Sequence, residues 1–143
     1  MSGILRGRVS RREFLGLGAV GLVSAGVPAL SSCGDDLPEI KEGKAIAKEG
    51  ELEPNSALLF ADADSGKPRV LIRLGDGGYV MYSAECTHQG CTVSYKSDDG
   101  GYLACPCHNS VYDPRDGAVW SGPADEPLPK LGLEIREGKI FSA

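Results

Sequence analysis

Short apolar runs separated by turn residues dominate the chain after residue 43. Residues 57–61, 69–74 and 79–83 carry mostly aliphatic or aromatic side chains. Segments rich in glycine, aspartate and proline lie between them, at 64–68 and 75–78. Runs of this length bounded by such turns are typical of β-strands, and no window in this part of the chain shows the 3.6-residue apolar stripe of an amphipathic helix. The pattern therefore predicts an all-β domain.

The second half of the chain predicts two hairpins and a returning strand pair. Polar turns at 96–101 and 114–117 each lie between short apolar segments. Alternating apolar positions over 131–135 then lead, through a Glu-Gly-Lys turn, to a last apolar pair at 140–141. We expect an antiparallel β-sandwich with a small subdomain, about residues 85–124, that carries two loops at one end.

The first 32 residues have a different character. Paired arginines, Arg11 and Arg12, precede a weakly apolar run over 15–30. A basic flank, an apolar middle and small residues after it are typical of an export signal, and the paired arginines indicate the twin-arginine route. The alternative is a retained anchor, although 16 residues fall short of the ~20 that cross a bilayer as a straight helix.

Cys33 follows Leu-Ser-Ser directly after the apolar run. This pattern resembles a lipobox, in which Cys33 would be lipidated and become the first mature residue, and lipidation would account for an otherwise stray thiol in an oxidising compartment. An ordinary signal peptide or a retained anchor are the alternatives. Residues 33–43 are charged, contain little apolar side chain and are predicted to form a tether, with the folded domain over 44–143.

Charge excludes one class of partner. The chain carries a net charge of −5, and residues 1–32 hold four arginines and one glutamate, so their removal leaves 11 basic and 19 acidic residues, a net charge of −8. Nucleic-acid binding needs clustered Lys and Arg, so it is not expected. Adhesion to anionic lipid by charge is not expected either, so membrane attachment would depend on the anchor. An acidic surface would steer a basic electron acceptor.

The candidate chemistry is concentrated in two short sequences. Both histidines and four of the five cysteines of the protein lie in Cys-Thr-His-Gln-Gly-Cys at 86–91 and Cys-Pro-Cys-His-Asn-Ser-Val-Tyr at 105–112. A Cys-x-His pair and a Cys-x-x-His pair each place one thiolate and one imidazole on a tight turn. Two such turns facing each other would supply four ligands to one metal site. A tetrahedral structural zinc is the simpler alternative for such a ligand set.

These two motifs resemble those of the Rieske iron-sulfur proteins, in the disulfide-containing form of quinol-oxidising cytochrome complexes. The resemblance implies a [2Fe-2S] cluster whose two irons have different ligands. One iron would be bound by two thiolates and the other by two imidazoles, and the two remaining cysteines would form a disulfide bond. The predicted ligands are Cys86 and Cys105 on one iron and His88 and His108 on the other, with a disulfide between Cys91 and Cys107.

The resemblance also assigns roles to residues beyond the ligands. Ser110 and Tyr112 would donate hydrogen bonds to a bridging sulfide and to a cysteine ligand, and such donors raise the reduction potential. Gly122, Pro123 and Ala124 resemble the proline-containing loop that shelters the cluster in this family. Asn109 stands where many such proteins carry glycine, which makes the backbone after His108 the point at which this chain departs from the pattern.

The function implied is one-electron transfer on the outer face of the cytoplasmic membrane, without independent catalysis. Two imidazoles in place of thiolates raise the potential to about −150 to +300 mV, against roughly −400 mV for all-cysteine plant-type ferredoxins. The expected setting is the iron-sulfur subunit of a cytochrome bc or b6f-like complex, with quinol and cytochrome b on one side and a c-type cytochrome or similar acceptor on the other. The alternative is a relay subunit of an exported molybdenum oxidoreductase of the arsenite-oxidase kind. A soluble ferredoxin that serves an oxygenase is disfavoured by the export signal and the additional cysteine pair.

Overall fold

The computed structural model describes residues 36–143, which form twelve short strands and one 3-10 turn, Asp98–Gly100. The predicted export signal and the lipobox at Cys33 lie outside the described residues. Within 36–143, no helix is long and apolar enough to cross a membrane. The strands are β1 (Glu39–Ile40), β2 (Ala47–Lys48), β3 (Ser56–Asp62), β4 (Pro68–Arg73), β5 (Tyr79–Ser83), β6 (Ser94–Lys96), β7 (Tyr102–Ala104), β8 (Val111–Tyr112), β9 (Val119–Ser121), β10 (Lys130–Leu131), β11 (Leu133–Arg136) and β12 (Lys139–Ser142).

The strands form three sheets, and this confirms the all-β prediction. A five-stranded sheet has the order β1-β3-β4-β5-β10, a three-stranded sheet the order β11-β12-β2, and a four-stranded sheet the order β6-β7-β8-β9. All pairings are antiparallel except that of β1 with β3. The four-stranded sheet corresponds to the predicted subdomain, because its strands carry the second ligand loop and follow the first.

The five-stranded sheet is buried on both faces. Along β4, Val70 and Ile72 pack in one apolar cluster with residues of the four-stranded sheet, whereas Leu71 packs in a second cluster with Ile140 of the three-stranded sheet. The side chains of all three β4 residues are fully buried. Burial of each contributes about 1.5–3 kcal/mol to folding, so a continuous apolar run at this point fixes the strand in the middle of the domain.

Two elements differ from the predicted pattern. Glu39–Ile40, within the predicted tether, pairs with Ala61 and Asp62 as an edge strand, and Ile40 packs against the second apolar cluster. A strand of two residues is too short to produce a recognisable alternation. The alternating segment 131–135 is also divided between two sheets, since β10 pairs with β5 and β11 pairs with β12.

Candidate metal centre

Two loops of the same backbone design carry the predicted ligands. In the first, the N–H of Cys86 donates to the carbonyl of Cys91 at 2.8 Å, and the N–H of Gly90 donates to the carbonyl of Cys86 at 2.8 Å. In the second, Cys105 donates to Ser110 at 2.8 Å and Asn109 donates to Cys105 at 3.1 Å. The first loop follows β5 and is closed at its base by a bridge between Glu85 and Thr92. The second loop joins β7 to β8.

The fifth position of each loop adopts a left-handed backbone. Gly90 has φ 76° and Asn109 has φ 59°. Asparagine is among the few residues with a side chain that adopt this conformation without a large penalty. Asn109, which stands where many family members carry glycine, therefore keeps the same left-handed backbone as Gly90. The departure from the family pattern does not change the conformation of this loop.

The two thiols are buried side by side. Cys86 is 3% exposed and Cys105 is 1% exposed, and neither is in a disulfide bond. Burial raises the pKa of Cys86, but hydrogen bonds from Tyr112 and from the backbone N–H of His88 outweigh it, and the pKa falls below its usual value. Burial and a hydrogen bond with Cys86 raise the pKa of Cys105. The two sulfurs therefore share a low-dielectric space in which Cys86 is the better stabilised thiolate.

Backbone N–H groups act on both sulfurs. The amides of His88 and Gln89 lower the pKa of Cys86, and the amides of Cys107 and His108 act to lower the pKa of Cys105 against the effect of burial. These donors favour the thiolate over the thiol, since a charged acceptor gains more from a hydrogen bond than a neutral one. Each loop is thus built to hold a thiolate, which is the form that binds a metal.

The imidazole rings of His88 and His108 lie edge to face against each other. The ring centroids of His88 and His108 are 4.7 Å apart, with the rings almost perpendicular. The Nδ1 atom of His88 is buried and has no hydrogen-bond partner among the described residues. His108 is exposed. A buried ring nitrogen without a partner is costly unless something binds it, so Nδ1 of His88 has the environment of a metal ligand.

A disulfide bond between Cys91 and Cys107 joins the two loops, in agreement with the disulfide-containing type predicted. The Cα atoms of the two cysteines are 6.4 Å apart, and the residues are separated by 16 positions along the chain. The sulfur atoms of Cys91, Cys105 and Cys107 lie within 4.8 Å of one another. The disulfide bond therefore lies directly beside the thiol of Cys105.

Tyr112 connects the second loop's strand to the first loop. Its side chain is fully buried, and its hydroxyl lies 3.2 Å from Cys86 Sγ. The same hydroxyl accepts the N–H of Thr87 at 3.2 Å and lies 3.1 Å from Thr87 Oγ1. Burial raises the pKa of Tyr112, and the hydrogen bond to Cys86 acts in the same direction. The phenol stays protonated at neutral pH and is placed to donate to the thiolate, as its predicted role requires.

The predicted sheltering loop packs on the second ligand loop. The N–H of Ala124 donates to Ser110 Oγ at 3.1 Å, and Ser110 is fully buried. Gly122 has φ 99°, and a Cβ there would lie 2.5 Å from Ser110 Cα. Only glycine allows this approach. Because Ser110 accepts from Ala124, its own proton remains for another acceptor.

Thr87 and Glu126 are the part of this arrangement that sequence reasoning missed. Thr87 Oγ1 donates to the carbonyl of Glu126 at 2.7 Å, across 39 positions of the chain. The position of Thr87 between Cys86 and His88 is the only signal in the sequence that points to it. Nothing in the sequence singles out the carbonyl of Glu126.

The residues present fit a [2Fe-2S] cluster bound by two thiolates and two imidazoles. Two buried thiols with N–H donors, a buried imidazole nitrogen without a partner and a second imidazole beside it provide four ligands of the required chemistry. The residues that would hold the cluster are Cys86, Cys105, His88 and His108. Cys91 and Cys107 are withheld from metal binding by their disulfide bond.

Residues 43–132 match the Rieske [2Fe-2S] domain model. The chain belongs to this family, and the [2Fe-2S] cofactor predicted from the sequence is confirmed in preference to structural zinc. The match covers both ligand loops and the sheltering loop, and it begins at the end of the predicted tether.

Three known proteins illustrate the relationship. A Haloferax mediterranei protein named as the Rieske subunit of a respiratory nitrate reductase is 35% identical over 94% of this chain, which spans 63% of that protein. The cytochrome b6-f complex iron-sulfur subunit of Chlorobaculum tepidum is 31% identical over 91% of this chain and 73% of its own length. The crystal structure of the plasma membrane Rieske protein PetC3 from Synechocystis PCC 6803 matches with a TM-score of 0.60 and 25% identity, over 70% of this chain and 98% of that one.

Proposed function

We propose that this chain is the one-electron carrier of a quinol-oxidising cytochrome bc or b6f-like complex. Its cluster would be bound by Cys86 and Cys105 on one iron and by His88 and His108 on the other. The observation that carries the proposal is the geometry of the two loops, which places two buried thiols and two adjacent imidazoles at one end of the four-stranded sheet.

The cluster supplies one-electron redox chemistry when it is bound, and the residues of this chain set its potential and its access. Neutral imidazoles lower the negative charge of the ligand set. Tyr112 and Ser110 are placed to donate to electron-rich sulfur, which favours the reduced state. The expected result is a potential in the upper part of the family range.

The two histidines differ in access. His88 is partly buried, with Nδ1 enclosed, whereas His108 is exposed on the same side of the domain. We expect the exposed imidazole to be where a quinol or a partner protein makes contact. Because imidazole also holds a proton, a proton and an electron from quinol would be taken up at neighbouring atoms.

A second setting, the relay subunit of an exported molybdenum oxidoreductase, is favoured by a specific comparison. The Haloferax mediterranei relative is named as a subunit of a nitrate reductase, not of a cytochrome complex, and its similarity extends over 94% of this chain. The Chlorobaculum tepidum relative supports the cytochrome complex over a similar extent. The leading proposal and this alternative share the cluster and differ in the donor and the acceptor.

The proposal also includes a location. The paired arginines and Cys33 are consistent with export of the folded, cluster-loaded protein and attachment by lipid to the outer face of the cytoplasmic membrane. The disulfide bond between the two ligand loops is consistent with an oxidising compartment.

The test is purification from membranes with residues 1–35 intact, followed by identification of the proteins that accompany the chain. Cytochrome b in the complex would support the leading proposal, and a large molybdopterin subunit would replace it with the alternative. The reduced-state EPR signal of the preparation reports the cluster independently of the partner. A Cys33→Ala variant is the control for the anchor, because it should move to the soluble fraction while it keeps the EPR signal.

A further inference from the structure

Thr87 makes two side-chain hydrogen bonds although it is not one of the four predicted cluster ligands. It lies between Cys86 and His88, and its side chain is partly buried. Its hydroxyl reaches the carbonyl of Glu126 at 2.7 Å and the hydroxyl of Tyr112 at 3.1 Å. The contact with Glu126 joins the first ligand loop to the segment that follows the sheltering loop, and the contact with Tyr112 joins the same loop to β8.

The donors and acceptors in this network can be assigned from the number of protons. A carbonyl only accepts, so the single hydroxyl proton of Thr87 is used by Glu126. Towards Tyr112, Thr87 Oγ1 can then only accept. The oxygen of Tyr112 already accepts the N–H of Thr87 at 3.2 Å. The phenolic proton of Tyr112 is therefore left with two acceptors, Cys86 Sγ at 3.2 Å and Thr87 Oγ1 at 3.1 Å.

We propose that Thr87 is a positioning residue that shares the phenolic proton of Tyr112 with the sulfur of Cys86 and thereby lowers the reduction potential of the cluster. The inference rests on the proposed function, since it assumes that Cys86 is a cluster ligand. A hydrogen bond to ligand sulfur stabilises the reduced state, so dividing that bond weakens the effect. The contact with Glu126 keeps the hydroxyl of Thr87 in the accepting orientation.

This sharing is sensitive to the redox state. Reduction of a cluster bound at Cys86 would add negative charge to its ligand set and would make Cys86 Sγ the stronger acceptor. The hydrogen bond donated by Tyr112 would then be directed more towards Cys86 and less towards Thr87. Thr87 therefore favours the oxidised state, in which its hydrogen bond with Tyr112 is strongest.

The first test is a double-mutant cycle of reduction potentials at a fixed pH. Thr87→Val keeps the shape of the side chain and removes the competing oxygen. In the presence of Tyr112 the variant should shift the reduction equilibrium about threefold towards the reduced state, which is roughly 28 mV at about 59 mV per factor of ten. In the Tyr112→Phe background the same substitution should produce no such increase. A purely structural role of Thr87 would change the potential equally in both backgrounds, and this result would overturn the proposal.

The second test does not need the cluster. Infrared spectra of apo protein with isotopically labelled tyrosine report the C–O stretch of Tyr112 once the spectrum of the Tyr112→Phe variant is subtracted. Thr87→Val should shift this band, whereas Thr87→Ser, which keeps the hydroxyl, should leave it in place. An unchanged band in Thr87→Val would overturn the proposal even where that variant does not load its cluster. The absence of a reduced-state EPR signal from the purified, unsubstituted protein would instead contradict the proposed function.

Discussion

The two ligand loops share a backbone and differ in their surroundings. Both close with the same pattern of backbone hydrogen bonds, and both turn through a left-handed residue, Gly90 in one and Asn109 in the other. In the first loop the sulfur of Cys86 accepts a hydrogen bond from the hydroxyl of Tyr112, and the pKa of Cys86 is lowered. In the second loop no side-chain hydroxyl of residues 36–143 donates to Cys105, and the pKa of Cys105 rises because burial dominates.

Exposure also separates the loops. The first loop is covered on one side by Tyr112 and by the segment that contains Glu126, both of which hydrogen-bond to Thr87. Residues 106–109 of the second loop are exposed. The backbone therefore provides two equivalent places for a metal-binding thiolate, and side chains from other parts of the chain make the two chemically different. Substitutions can remove the shared part or the part that differs.

The largest effect is expected from removing a thiol, the feature that both loops share. Cys86→Ser and Cys105→Ser should each abolish the cluster, because a hydroxyl is a poor replacement for thiolate in an iron-sulfur site. Iron analysis and reduced-state EPR of anaerobically purified protein would measure the loss. Thr92→Ser, at an exposed position beside the first loop, is the control and should retain two irons. A Cys86→Ser or Cys105→Ser protein with a full iron content would contradict the proposed ligand set.

The covalent link between the loops should have the next largest effect. Cys91→Ser combined with Cys107→Ser should lower the free energy of unfolding by about 3 kcal/mol, because the bond closes a loop with a sequence separation of 16. With a slope of about 2 kcal/mol per M, the urea midpoint would fall by roughly 1.5 M. The urea midpoint of the double variant should equal that of the unsubstituted protein measured with its disulfide bond reduced by a strong reductant. A midpoint that does not move would show that noncovalent contacts suffice to hold the loops together.

Removal of the phenolic hydroxyl should make the two loops more alike. Tyr112→Phe takes away the donor to Cys86, at a cost to the reduced state of about 1–2 kcal/mol, so the potential should fall by roughly 40–90 mV for a one-electron couple. Redox titration followed by EPR measures the change. Tyr95→Phe, which alters a partly buried tyrosine of β6, should leave the potential unchanged. Equal potentials for the unsubstituted and Tyr112→Phe proteins would exclude tuning by this hydroxyl.

The smallest effect is expected at the left-handed position. Asn109→Gly and Gly90→Asn should each change the free energy of unfolding by less than about 0.5 kcal/mol, because both residue types adopt this backbone. Gly90→Ala and Asn109→Ala should each cost about 1–2 kcal/mol. A Cβ at Gly90 meets no atom of the part of the chain that the structure describes within 4 Å, so the cost there reports the backbone conformation. Urea unfolding of the four variants tests the equivalence, and a much larger cost at one site would show that the loops are not interchangeable.

Local pattern predicted much of the fold. The strand predicted at 79–83 has the same first and last residues as β5. The boundaries of the strands predicted at 57–61 and 69–74 differ by one residue at each end from those of β3 and β4. These strands are long enough for apolar content and turn chemistry to define them. The two-residue strand Glu39–Ile40 was not predicted, because at that length only its pairing with β3 distinguishes it from a tether.

The all-β class followed from strand-length apolar runs in the sequence, and the family and the cofactor followed from the resemblance of two short cysteine- and histidine-containing motifs to those of the Rieske proteins. The tertiary structure decided which distant groups meet: Tyr112 with Cys86, Ala124 with Ser110, and Thr87 with Glu126. These contacts depend on the register of strands that are far apart in the chain, and no local pattern specifies that register. The difference between the two sulfur sites arises from these contacts, so it could be seen only once the chain was folded.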